Sequence, residues 1–350
     1  MPVVMISTVH HVPWYRQFPH GEPVWGNWRF TFNDTAGGYD FLVVFDDLHA
    51  EIVPACPRAH TVHIATEPVS VRRYHKLFTD QFGLCITHDL EIVHPHAVHG
   101  QPGLNWFIGW KPAGGAGPGA MSFADIEALF DGPRSRLVSV IASNLAFTEG
   151  HRKRLALVEA LREHFGERMD FFGRGFRSVD DKSEALLPYR FHVVLENAQL
   201  DHYFSEKLSD CFLAGCFPIY AGCPHLEEYF PPDAYVAIDM AEPKAAIAAI
   251  EAAIAGDYDR TRRDALREAR QRVLYEHNLF PMLVRVLSDM AAGRYGRTEP
   301  VAAYGPALWP RRSVRDKLEP MSLRQRLGRW ADRVPPLNGV RRLARQLRSR

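Results

Sequence analysis

Long apolar runs are missing from this chain. No stretch of about 18 consecutive apolar residues occurs in its 350 residues, so no membrane-spanning helix is expected. Cysteine is scarce. Cys56, Cys85, Cys211, Cys216 and Cys223 are odd in number, scattered, and form no CxxC pair. That argues against a disulfide scaffold and a zinc ribbon, and a reducing, cytoplasmic compartment is expected. Met1–His10 has neither a basic segment nor an apolar core of leader type, so no secretory leader is expected. Short-period repeats are absent as well, which excludes a solenoid. Net charge is almost nil, +1, but this hides an asymmetry. Residues 311–350 carry a net +10, and the remaining 310 carry −9. A polyanionic partner is therefore expected only at the C-terminal end.

What is present is ordinary globular material. An aromatic content of 11% argues against a disordered chain. At roughly 150 residues per domain, the length suggests two domains. Val3–Val9, Tyr39–Phe45, Thr61–Ala65 and Gly83–Thr87 are apolar runs of strand length, which suits buried parallel strands. Ser70–Gln81 has helical character. Lys111–Met121, dominated by Gly, Pro and Ala, reads as a linker. Ser122–Phe130 reads as a short helix with Ser122 as N-cap and Asp125 completing a capping box. The alternation then repeats. Arg136–Ala142, Met169–Phe172, Phe191–Leu195, Cys216–Tyr220 and Tyr235–Ile238 read as strands. His151–Phe165, Ser205–Leu213, Lys244–Ala255 and Tyr258–Asn278 read as helices. Two α/β domains follow, one over residues 1–120 and one over 121–295, with a basic tail over 296–350.

In open α/β sheets, ligands bind outside the carboxyl ends of the strands. Glu67, Ser143-Asn144, Glu196-Asn197 and Tyr220 follow strands in this reading. The densest stretch is Tyr189–Gly222. A strand delivers Glu196 and Asn197 to a loop carrying Gln199 and Tyr203, and Ser205-Glu206-Lys207 opens a helix. Backbone N–H groups at a helix start plus a Lys ammonium suit a diphosphate, and a carboxylate such as Glu206 suits sugar hydroxyls. The plain alternative is a capped helix with solvated Glu and Lys.

This stretch resembles the donor-binding motif of glycosyltransferase family 10, the α1,3/4-fucosyltransferases, in a bacterial-type member. The family pattern runs through Tyr189-Arg190-Phe191, Leu195-Glu196-Asn197, Tyr203-Phe204-Ser205-Glu206-Lys207 and Pro218-Ile219-Tyr220-Ala221-Gly222. Phe204 stands where the family has Val, and Ser205 where it has Thr. Ser143-Asn144 followed by Arg154–Leu161 resembles the preceding strand and helix, whose arginine meets the donor diphosphate in the family. Arg152, Lys153 and Arg154 are adjacent, and each is a candidate for that role. Ile64–Pro68 resembles the family strand that ends in a carboxylate proposed as general base, here Glu67.

The resemblance implies a GT-B-like α/β architecture, with two Rossmann-like domains facing a cleft. It implies an inverting transfer of fucose from GDP-fucose to a glycan hydroxyl, with Glu67 catalytic. Arg154 or Arg152, Glu196, Asn197, Tyr203, Glu206, Lys207 and Tyr220 would bind the donor. No tightly bound cofactor and no protein-held metal is implied; Asp46-Asp47 and Asp180-Asp181 make no persuasive Asp-x-Asp motif, and dependence on Mn2+ or Mg2+ stays open. Another nucleotide sugar, or a non-catalytic glycan-binding protein of this fold, are the alternatives.

Three features stand apart. His88, His94, His96 and His99 cluster, which raises a metal-dependent hydrolase as a further alternative, although acceptor-groove lining suits them better. Trp106 and Trp110, flanking Phe107, are candidates for stacking on a sugar face, or simply for the core. Ser322–Trp330 and Asn338–Leu347 place apolar residues among arginines at helical spacing. That favours an anionic membrane surface, at its inner face, over a solvated tail, and disfavours nucleic acid.

Overall fold

The computed structural model describes residues 1–103, 105–111, 120–142, 149–295 and 306–318, with the side chains of 149–151 and 315–318 left aside. Twelve strands are found among them: β1 (Val3–Thr8), β2 (Val24–Trp25), β3 (Trp28–Phe32), β4 (Phe41–Phe45), β5 (Thr61–Ala65), β6 (Leu84–Thr87), β7 (Ala97–His99), β8 (Arg136–Ile141), β9 (Met169–Phe172), β10 (Tyr189–Leu195), β11 (Phe217–Ala221) and β12 (Val236–Ala237). They form two sheets. The N-terminal one has the order β2-β3-β1-β4-β5-β6-β7, and the C-terminal one β12-β11-β10-β8-β9. Every pairing is parallel except β2 with β3.

The apolar runs are continuous because both faces of each central strand are covered. In β1, Val4 and Ile6 join one core while Met5 joins the opposite one. In β4, Val43 and Phe45 face the first, Leu42 and Val44 the second. The capping box forms as the sequence predicts: Ser122 caps the helix Phe123–Ala128 and Asp125 reciprocates. The helix Glu149–Phe165 buries Leu157, Val158 and Leu161.

Two helices differ from expectation. Over Ser70–Gln81 only Lys76–Thr79 is helical, because Pro68 starts a turn and the Tyr74 hydroxyl is tied to Asp46 at 2.6 Å. The long helix expected over Tyr258–Asn278 breaks at Arg262 into Tyr258–Thr261 and Arg263–Tyr275.

The expected boundary at residue 295 also differs from the packing. The helix Leu279–Ala291 crosses back and buries Leu279, Phe280, Leu283 and Leu287 against the N-terminal sheet. Asn278 caps it and exchanges hydrogen bonds with Gln17, 3.1 Å through the side chains and 2.8 Å to the Gln17 carbonyl. The opposite face of the same sheet takes Leu308 and Val314, from the stretch read as tail. Leu308 bridges Ile52, and the Arg311 backbone N–H reaches Asp47 at 2.9 Å. Ser143-Asn144, most of the Lys111–Met121 linker and the basic residues 319–350 lie outside the described residues. Among the described residues no helix is long and apolar enough to cross a membrane.

Candidate functional site

Each sheet has one point where strand order reverses, between β1 and β4 and between β8 and β10. Open parallel sheets take ligands at such points, outside the carboxyl ends. Glu196 and Asn197 directly follow β10, and a cavity of about 280 Å³ lies there. Its lining comes from both domains: Glu67, Thr66 and His10 on one side, Asn197, Tyr203, Ser205, Glu206 and Lys207 on the other.

On the C-terminal side the helix Glu206–Ala214 begins at Ser205, whose side chain caps it. Glu196 is fully buried beneath that start. Its carboxylate accepts the Ser205 backbone N–H at 2.7 Å, the Ser205 hydroxyl at 2.7 Å and the Lys207 ammonium at 3.3 Å. Glu196 therefore fixes the site from behind and does not line it. Tyr220 is likewise buried. Its hydroxyl accepts the Cys223 N–H at 2.8 Å and reaches the Tyr203 carbonyl at 3.5 Å. Both residues were expected to bind a donor; the structure places them as supports.

Lys207 stands between two carboxylates, 3.3 Å from Glu196 and 3.6 Å from Glu206. Burial works against its charge, but Glu206 and Glu196 outweigh that and raise its pKa. Burial likewise disfavours the Glu206 carboxylate; Lys207 and Lys182 overcome it and hold Glu206 below the usual range. Both groups are thus ionised at neutral pH, and both line the cavity.

Among the three adjacent cations, Arg154 is buried and donates to Asn197 Oδ1 at 2.8 Å, while Arg152 and Lys153 are exposed. Its Nε is buried with no hydrogen-bond partner among the described residues. Helical phase selects it: residue 154 precedes the buried Leu157, Val158 and Leu161 by three, four and seven.

On the N-terminal side Glu67 is half-buried. Burial pushes its carboxyl up, and Arg72 opposes this. The Tyr74 hydroxyl accepts from the backbone N–H groups of Thr66 at 3.2 Å and Glu67 at 3.4 Å, and so holds the turn.

The remaining candidates fall elsewhere. Trp106 and Trp110 are buried, and Trp106 packs on Phe123 at 5.7 Å between ring centroids. Phe107 between them lines the cavity, with Lys182 5.0 Å over its ring. The Arg16 guanidinium binds the carbonyls of Trp106, Ile108 and Met121, which pins this connecting segment. The four histidines do not converge. His88 is buried against Tyr203, His94 bonds the Phe82 carbonyl at 3.1 Å, and His99 is exposed. Among the described residues no three His, Cys, Asp or Glu side chains could hold a metal ion. Gln199, read as a donor of the loop, is exposed.

Two parallel α/β domains lining one cleft are the GT-B-like class. Within it, residues 132–260 match the C-terminal domain model of glycosyltransferase family 10 (fucosyltransferase). Mouse alpha-(1,3)-fucosyltransferase 7 is 28% identical over 159 residues, 41% of this chain and 38% of that one. The alpha-(1,3)-fucosyltransferase FucT of Helicobacter pylori is 36% identical over 59 residues, 17% of this chain and 12% of its own. The matched stretches thus span well under half the length of these relatives. A crystal structure of an α1,3-fucosyltransferase with GDP aligns with a TM-score of 0.46 at 16% identity, over 85% of this chain and 92% of that one.

Proposed function

We propose that the chain is a fucosyltransferase that moves fucose from GDP-fucose to a glycan hydroxyl with inversion. The carrying observation is the cavity lined by Lys207, Glu206, Tyr203 and Asn197 on one side and by Glu67 on the other. In this reading Lys207 and Arg154 neutralise the departing diphosphate, a role for pre-placed cations. Asn197, Glu206 and Tyr203 hold the hydroxyls and base-side groups of the donor. Glu67 meets the acceptor hydroxyl from the opposite lip, and its raised pKa is the direction a carboxylate base needs. The transition state is oxocarbenium-like, as in other glycosyl transfers.

Calorimetric titration with GDP-fucose, GDP-mannose and UDP-galactose tests this reading. Selective binding of GDP-fucose, lost in Lys207→Ala, is expected. Binding of none of the three by folded protein, with and without Mn2+, would remove the transferase reading in favour of a glycan-binding protein.

A further inference from the structure

The N-terminal lip of the cavity holds a second group suited to act on a hydroxyl. β1 and β4 are neighbours, with β3 beyond β1 and β5 beyond β4, so their carboxyl ends flank the reversal point of that sheet. His10 stands two residues past β1, and Asp46 directly follows β4. His10 Nε2 lies 3.0 Å from Asp46 Oδ2. The Asp46 side chain is wholly buried, whereas that of His10 is 38% exposed and lines the cavity together with Glu67.

Asp46 is built to stay ionised. Its carboxylate accepts from the Tyr74 hydroxyl at 2.6 Å, from the Arg72 guanidinium and from His10. An ionised carboxylate only accepts, so His10 must donate Nε2–H to it. In a neutral imidazole the other nitrogen, Nδ1, is then a bare proton acceptor. Nδ1 meets no partner among the described residues. The ring is further held by Phe45, edge-on at 84° with centroids 5.9 Å apart, and by the His10 backbone N–H on Thr8 Oγ1 at 3.1 Å. Asp46 also has a φ of 74°, a left-handed conformation that Asp and Asn tolerate best, and such conformations cluster at working sites. Through Tyr74 the same carboxylate supports the turn that carries Glu67, so one buried anion orients both acceptor-side groups.

We propose that His10, oriented by Asp46, is a second catalytic group of this cavity, a general base whose Nδ1 takes the proton of the attacking hydroxyl. The proposal rests on the fucosyl-transfer reading above. In the step, the hydroxyl oxygen bonds to the anomeric carbon, and the bond from that carbon to the diphosphate oxygen breaks with its electron pair leaving on GDP. The hydroxyl proton passes to Nδ1. The resulting imidazolium is paired with Asp46, the logic by which a buried aspartate supports a catalytic histidine. His10 here takes the proton assigned to Glu67 above, and Glu67, on the same lip, accepts a hydrogen bond from a second hydroxyl of the acceptor and so fixes its direction.

Water can stand in for the unidentified acceptor, so hydrolysis of GDP-fucose is the probe, followed by GDP release. His10→Ala is expected to bind GDP-fucose with unchanged affinity in the calorimeter and to hydrolyse it about 10²-fold more slowly, the lower end of general-base contributions. Added imidazole should restore part of the rate, which a packing role would not allow. Asp46→Asn keeps the backbone conformation, but its amide would donate to Nε2 and reverse the tautomer, so a loss of similar size is expected with binding retained. Hydrolysis by His10→Ala within twofold of wild type, or a loss that imidazole leaves unrestored, would overturn the assignment. So would bound GDP-fucose that the wild type never hydrolyses. A wild type that binds no GDP-fucose at all would instead remove the reading on which the proposal rests.

Discussion

Arg154 and Asn197 stand 43 residues apart in sequence, yet Nη1 of the arginine donates to Oδ1 of the asparagine at 2.8 Å. Asn197 lines the cavity, and Arg154 supports it from the buried face of its helix. Arg154→Ala should therefore weaken GDP binding about 10- to 100-fold, the range for a hydrogen-bonded buried charge. Arg152→Ala and Lys153→Ala, both on the exposed face, should change it less than twofold. Calorimetry with GDP on the three variants checks this. An equal loss in Arg152→Ala would mean that helical phase does not select the diphosphate contact.

Gly222 packs against Tyr220 and Glu196, the two supports of the same half-site. A Cβ placed there would run into the Tyr220 hydroxyl and come within 2.7 Å of Glu196 Cγ. Both neighbours are buried and hydrogen-bonded, so neither can step aside cheaply. Gly222→Ala should destabilise the fold by about 1–3 kcal/mol, the usual cost of overpacking. It should also weaken GDP binding, because Glu196 holds Lys207. Denaturant unfolding and calorimetry on one variant separate the two effects, and an unchanged unfolding midpoint would sink the prediction.

His88 is buried between the domains with neither ring nitrogen hydrogen-bonded among the described residues, its ring 4.9 Å from that of Tyr203. Burial pushes it from the usual 6.5 down to about 4. Its folded pKa lies below its unfolded one, so the unfolded chain binds the extra proton first. Stability should thus fall as pH drops from 6.5 towards 4, by about 1.4 kcal/mol per unit for one such group. His63 and His277, pushed to about 4 by burial, act in the same sense. His88→Phe should soften the acid loss measured by urea midpoints at pH 7 and pH 5. An equal loss in both proteins would show that His88 titrates freely when folded.

The buried parallel strands were legible because covering both faces leaves an apolar run, unbroken in β4 and over Val3–Ile6 of β1 and nearly so in β5 and β10. β2, β3 and β7 were not read. They are short or carry polar residues such as Arg29 and His99, and pairing alone makes them strands. The helix Leu279–Ala291 was also missed, although Leu279, Leu283, Val286 and Leu287 have helical spacing behind an Asn cap. The cavity residues Asn197, Tyr203, Glu206 and Lys207 were legible from one continuous stretch. The support roles of Glu196 and Tyr220 were not, since sequence does not say whether a polar side chain faces a cleft or lies beneath it. His10 and Asp46 escaped because 36 residues separate them and only strand adjacency brings them together.

The return of Leu279–Ala291 to the N-terminal sheet also sets an order of events during synthesis. The strands of that sheet emerge from the ribosome first, but one of their faces lacks its covering helix until residue 291 has been made, and the other lacks Leu308 and Val314 until later still. The C-terminal sheet, whose strands and covering helices lie between residues 123 and 275, can close its core earlier. The half made first is thus finished last, and in the interval its apolar strands are the surface a chaperone would have to cover.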